Sequence, residues 1–346
     1  MREFGSDFHR CDRNFRGVLN YLDMMGDMRL YACGRHAIDA IIGQEKWNRI
    51  WMPAYFCYEV IGHIRSTGIE VMLYNDYPTC TNDDELVREL PYEKGDVLLR
   101  TDYYGFRNWR TNKEICVPVI EDHTHGLITD WALKSDADWC IASLRKTIPV
   151  AAGGILWSPK GKQLPDNIRP TEACEEMAKI RYEAMDMKAE YLNNDGDKEA
   201  FRVKYIKTEG CIDNLALSGI DAESEEITRA LNIKLWMDLK YNNWLLAKKM
   251  LDKKLCILGK DREDYWQPFS LIFLLDSAEE RESLRKYMIQ HSIYPAVLWR
   301  IPEDSEFVEV KEFSERMLSV HCDIRYSRSA IEQMCKTING FYGTNL

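Results

Sequence analysis

Residues 117–157, VPVIEDHTHGLITDWALKSDADWCIASLRKTIPVAAGGILW, decide how this chain is read. An apolar run over 117–120 ends in Glu121-Asp122-His123-Thr124-His125. A second, over 139–142, ends in Ser143, with Lys146 three residues on and Gly153-Gly154 leading into a third apolar stretch over 154–157. Short runs that are apolar throughout, rather than alternating, are the pattern of strands covered on both faces of a sheet. Carboxylate and imidazole then stand at one strand end, hydroxyl and amine just past another. In open α/β sheets ligands bind outside the carboxyl ends of the strands, so these groups converge on one site.

The same alternation extends on the N-terminal side. Residues 49–53 predict a strand, 59–67 a helix closed by Gly68, 69–74 a strand, 83–90 a helix and 96–101 a strand. Strands alternating with helices give an α/β class with a mostly parallel sheet. Beyond about Pro159 the pattern turns helical: 171–192 and 221–252 each read as one long helix, the second opening on Asp221, Ser224 and Glu225 as a cap. Strands at 254–258 and 270–275, with helices at 277–291 and 329–341, form a smaller α+β unit. The expected division is a large domain over 1–240 and a smaller C-terminal domain over 241–346.

Composition narrows the function classes. The 346 residues carry 46 Lys+Arg against 56 Asp+Glu, a net charge of −10, with no Lys/Arg block that would track a nucleic acid or an anionic membrane. Eleven cysteines, an odd number without any C-x-x-C pair, suit neither a disulfide framework nor a zinc site. No signal-peptide segment and no apolar run long enough to span a membrane is evident. A cytoplasmic protein with reduced thiols is expected.

Three further pieces accompany the 117–157 stretch. Cys33-Gly34-Arg35-His36-Ala37-Ile38 opens a helix whose unpaired N–H groups suit a phosphate, although an ordinary helix start reads the same way. Pro53-Ala54-Tyr55-Phe56-Cys57 follows a strand with aromatics that can stack on a flat ring or fill a core. Tyr103-Tyr104-Gly105 again follows a strand end. Asp122, His123 and His125 read as metal ligands, as a satisfied polar cluster, or as groups that hold a pyridine ring. Ser143 and Lys146 decide for the ring: an amine crowded between apolar segments is a nucleophile, and it forms a Schiff base with an aldehyde cofactor. No metal is expected; pyridoxal 5'-phosphate (PLP) is.

Together these segments resemble the fold-type I PLP enzymes, and most closely the DegT/DnrJ/EryC1/StrS family of sugar aminotransferases. The family's G-x-x-A-L-like phosphate-binding helix start matches Gly34 to Ile38, its aromatic-Gly element Tyr104-Gly105, its E-D-x-x-H/Q motif Glu121 to His125, and its S-x-x-K and G-G elements Ser143, Lys146 and Gly153-Gly154. Cys33-Gly34-Arg35 stands where many members have Ser-Gly-Thr, and Asn214 is the candidate for the family's contact with the neighbouring subunit. The resemblance implies an aspartate-aminotransferase-like PLP fold and a homodimer with sites at the interface. It places Lys146 and Asp122 as catalytic residues, with Gly34, Arg35, His36, Phe56, Asp122, His125, Ser143 and Lys146 around the cofactor. The implied reaction moves an amino group from a donor such as glutamate to a keto sugar, nucleotide-linked, or to a related carbonyl acceptor. A lyase or desulfurase on the same fold, or an inactive binding module, are the alternatives. Acceptor specificity is expected around Trp266, Trp299 and Arg300, where no motif is readable.

Overall fold

A computed structural model describes residues 3–11, 22, 25–193, 196–259 and 267–343. Its centre is a seven-stranded sheet of β2 (Met28–Tyr31), β3 (Arg49–Pro53), β4 (Glu70–Tyr74), β5 (Asp96–Thr101), β6 (Val119–Asp122), β7 (Trp139–Ser143) and β8 (Gly154–Trp157), in spatial order β2-β8-β7-β6-β5-β3-β4. β4, β3, β5, β6 and β7 run parallel, while β8 is antiparallel to both β7 and β2. This is the mostly parallel α/β sheet that the apolar runs predict.

Strand geometry sends alternate side chains to opposite faces, and both faces are covered. Val97, Leu99, Ile120 and Ile141 share one core with Ile38 and Ile41 of α1 (Gly34–Glu45) and Ile61 and Ile64 of α2 (Tyr58–Ser66). Leu98, Val119, Cys140 and Ala142 face the other core. Truncating a side chain such as Ile120, which is 0% exposed, is expected to cost about 2–5 kcal/mol.

The C-terminal half differs from the sequence expectation in two places. Residues 221–252 are not one helix but two, α7 (Ala222–Ala230) and α8 (Ile233–Met250). Asn232 makes the break: its side chain accepts from Leu235 N–H at 3.0 Å, an N-cap that competes with continuing the helix. Helix α6 (Lys198–Asn214), packed on α5 (Glu172–Leu192), has no counterpart in the sequence reading. The mean hydropathy pattern of α6 is weakly amphipathic, with only Phe201, Tyr205, Thr208 and Ile212 buried, so its apolar stripe is thin.

A second, antiparallel sheet of β9 (Cys256–Leu258), β10 (Leu271–Leu274) and β12 (Met317–Val320) supports its own core with α9 (Ala278–Gln290) and α11 (Arg328–Phe341). Helix α8 belongs to both halves: Ile233, Trp236 and Met237 pack in the first core, Tyr241, Trp244 and Ala247 in the second. The expected boundary at residue 240 falls inside this continuous helix.

Candidate active site

The carboxyl ends of β5, β6 and β7 are held level by sheet register, with Asp122 opposite Thr101 on one side and Ile141 on the other. Thr124 ties the loops beyond them. Its N–H donates to Asp122 Oδ1 at 2.8 Å, its hydroxyl accepts from Ser143 N–H at 3.0 Å, and its carbonyl accepts from the Thr147 hydroxyl at 3.4 Å. The segments 122–125 and 143–147, singled out by sequence, are therefore brought together.

The start of α1 lies against the same place. Gly153 N–H donates to Ala32 O at 2.7 Å, and a Cβ on Gly154 would stand 2.1 Å from Cys33 O and 2.8 Å from Gly34 N. Only glycine at 154 lets the helix start approach the sheet so closely. A Cβ on Gly34 would in turn meet Ser143 Cβ at 3.4 Å, which places the Ser143 side chain beside the first turn. Cys33 at the N-cap makes no side-chain cap bond and the first turn carries no acidic residue, so its N–H groups keep their attraction for an anion. Among the described residues no hydrogen bond reaches the Ser143 hydroxyl.

Lys146 closes the short 3₁₀ turn that follows β7. Solvent reaches its side chain, yet protein crowds it enough that desolvation, followed by the adjacent Arg145 charge, lowers its amine below the ordinary lysine range. Among the described residues it forms no hydrogen bond or ion pair. Asp122 is buried, and desolvation raises its carboxyl, against the opposing bond from Thr124. His125 is buried and lowered to about 3, first by burial and then by the charges of Lys146 and Lys240. It is a neutral ring at any physiological pH. Tyr104 and Trp299 stack on it at 5.2 Å each, Phe269 lies at 4.1 Å, and His125 Nδ1 is buried with no hydrogen-bond partner among the described residues.

Other expected residues fall near the site in less direct ways. The Arg35 guanidinium pairs with Asp213 at 2.7 Å, and Arg145 with Glu209 at 2.6 Å. Both His36 nitrogens are committed, Nδ1 accepting from Ser218 N–H at 3.2 Å and Nε2 facing Leu215 O at 3.0 Å. The His36 ring thus anchors the 215–218 loop, which leaves only its backbone N–H for the helix-start site. Phe56 is buried and lies 5.8 Å from Trp299. Trp266 lies outside the described residues. Asn214 ends α6 and donates to Gly210 O. Phe269 and the ring contact of Trp299 with His125 were not legible from the sequence.

The opposite face of β6 carries a different cluster. Glu121 and His123, both 0% exposed, meet at 3.1 Å, and Glu121 also accepts from Asn112 and Ser135 at 2.6 Å each. Asp102 lies 3.8 Å from the second His123 nitrogen. Burial opposes the imidazolium, but Asp102, Cys140 and Glu121 together hold it well above the usual histidine range. Glu121, His123 and Cys140 could bring three metal-binding atoms within 4.8 Å, but both Glu121 oxygens already accept hydrogen bonds.

No family model matches the chain, and no curated protein matches it in sequence. Solved structures match its fold along nearly its whole length. Aminotransferase TlmJ from Streptoalloteichus hindustanus superposes with a TM-score of 0.66 at 11% identity, covering 99% of both chains. Helicobacter pylori PseC, an aminotransferase involved in the biosynthesis of pseudoaminic acid, gives 0.65 at 9% identity and the same coverage. Spr1654 of Streptococcus pneumoniae, assigned as a sugar aminotransferase and solved in its PLP form, gives 0.63 at 11% identity over 98% of this chain and 99% of its own. The chain has the fold of these proteins.

Proposed function

We propose that this protein is a PLP-dependent aminotransferase acting on a sugar-like carbonyl acceptor. The observation that carries the reading is Lys146: among the described residues its amine makes no hydrogen bond or ion pair, and it stands just past β7 in the 143–147 segment that Thr124 ties to the buried Asp122 at the end of β6. The residues present fit the cofactor. The uncapped first turn of α1 and the unengaged Ser143 hydroxyl suit its phosphate, Asp122 its pyridine nitrogen, and the partnerless His125 Nδ1 a polar atom on its ring. When bound, PLP supplies an aldehyde for the amino group and a ring that withdraws electrons from the substrate's α-carbon.

The chain's own groups divide the remaining work. A carboxylate at Asp122 stabilises positive charge at the atom it faces, and proximity to a cation would offset the desolvation that otherwise raises its pKa. Lys146 Nζ would hold the cofactor, and as a free amine it would take and return the proton of the substrate's α-carbon; the crowding that lowers its basicity acts in that direction. The Cys57 thiol, pushed up to about 11 first by burial, bonds to Glu59 and is a poor nucleophile, which disfavours a desulfurase reading.

The fold neighbours named for sugar and pseudoaminic acid chemistry support a sugar-like acceptor, which we take to be a keto sugar, and the donor we assign is an amino acid such as glutamate. A homodimer with sites at the interface, in the cytoplasm, completes the proposal; no described helix is long and apolar enough to cross a membrane. Single-turnover mixing of the PLP-loaded protein with glutamate tests it. Conversion of the cofactor to its amine form, reversed by a keto acceptor, is the expected result; loading without conversion by any amino acid would overturn the aminotransferase reading.

A further inference from the structure

Lysine side chains are almost never fully buried unless they are paired. Lys240, on α8, is 3% exposed, and among the described residues no hydrogen bond or ion pair reaches its ammonium. Its Nζ lies 5.1 Å over the ring of Phe269, which itself lies 4.1 Å from His125. The carboxylate in its neighbourhood is already engaged, since Asp323 accepts from Arg325 at both oxygens, at 2.8 and 2.9 Å. The nearby Cys322 thiol is neutral, pushed up to about 12 first by burial. A buried cation with no anion of its own costs stability, and it persists where a ligand supplies the missing charge.

We infer that Lys240 is the binding residue for a carboxylate of the amino-donor molecule, held against the aromatic wall formed by Phe269 and His125. The inference rests on the reading of the strand ends around Asp122, His125 and Lys146 as an aminotransferase site. A carboxylate suits the place better than a phosphate: one lysine beside a neutral imidazole and a phenyl ring matches a single negative charge, and the helix start at Gly34 offers a separate phosphate cradle. The role is positioning of the donor, because a carboxylate held at Lys240 fixes which group of the amino acid is presented towards Lys146.

The test uses glutarate, a dicarboxylate without an amino group, titrated calorimetrically into the full-length PLP-treated protein, with inorganic phosphate in a parallel arm. Lys240→Met is expected to weaken glutarate binding at least about tenfold, as loss of a charged hydrogen bond does, while Lys240→Arg stays within about threefold of wild type. Lys240→Met is also expected to raise the melting temperature, since it removes an unpaired buried charge, and glutarate should no longer stabilise it. A lowered melting temperature with unchanged glutarate affinity would show a structural lysine and overturn the inference. So would equal competition by phosphate, or no glutarate binding by wild type. The cofactor's visible absorption is read separately: its absence strikes at the aminotransferase reading, whereas its presence with glutarate binding indifferent to residue 240 strikes at this inference alone.

Discussion

The two faces of β6 beyond Ile120 carry similar residue types and treat them in opposite ways. On one face Glu121 and His123 are fully enclosed; both Glu121 oxygens are taken by Asn112, Ser135 and His123, and Asp102 lies 3.8 Å from His123 Nδ1 as a charge partner without a hydrogen bond. On the other, Asp122 is engaged by Thr124, and among the described residues neither His125 Nδ1 nor the Lys146 amine, whose charge reaches His125, has a hydrogen-bond partner. The strand's period of two points Glu121 and Asp122 to opposite faces, and the turn beyond it adds His123 to the first cluster and His125 to the second. A buried carboxylate with both oxygens filled and a cation beside it holds a core rigid, whereas an amine without a hydrogen bond at a strand end is open to a ligand.

Substitutions in the two clusters are expected to separate stability from activity. The largest effect is expected at His123. Replacing it with Leu leaves Glu121 and Asp102 buried without their cation, a loss of about 3–5 kcal/mol of unfolding free energy. Denaturant titration of the untreated protein measures it, and a loss below about 1 kcal/mol would mean the network is not the support described here.

Asp122→Asn comes next. Folding and PLP loading should persist, while donor deamination in single turnover slows by about 10²-fold, the scale of one preorganised electrostatic group. Normal turnover with weakened PLP affinity would move Asp122 from the chemistry to simple binding.

The smallest effect is in pH dependence. His125 is lowered to about 3, and His9 to about 4, both first by burial. An unfolded imidazole takes its proton near 6.5, so between about pH 6.5 and those values the unfolded state binds protons that the folded state refuses. Stability is expected to fall as pH falls through that window, by up to about 1.4 kcal/mol per pH unit for His125. His123 has the opposite sign. Its folded pKa is raised, so its contribution is complete below about 6.5 and is lost as pH rises through the folded value. Unfolding of wild type and His125→Phe between pH 6.5 and 4.5 separates these: the variant should show the shallower slope, and equal slopes would show that His125 does not resist protonation.

The core strands could be read from sequence because each is a short apolar run with both faces buried, a pattern that local composition carries on its own. The position of Asp122 at the end of β6 and of Lys146 just past β7 could be read for a related reason: a charged residue at or soon after such a run has few places to go but the strand end. The partners were not legible. Nothing near His123 in sequence announces Asp102 or Asn112, which register brings across from β5 and its following loop. Nor does Arg35-His36 reveal that both side chains turn to the 213–218 segment. Lys240 was readable in principle. It interrupts the buried stripe Ile233, Trp236, Met237, Tyr241, Trp244, whose spacing places it inside the apolar face of α8. Within a segment rich in other lysines, it passes for a solvated charge.

Reduction of the PLP-treated protein with borohydride, followed by mapping of the modified peptide, tests the central assignment most directly. A single pyridoxyl adduct on Lys146 is the expected result. An adduct on Lys240, the second lysine whose charge reaches His125, or adducts spread over surface lysines, would contradict it.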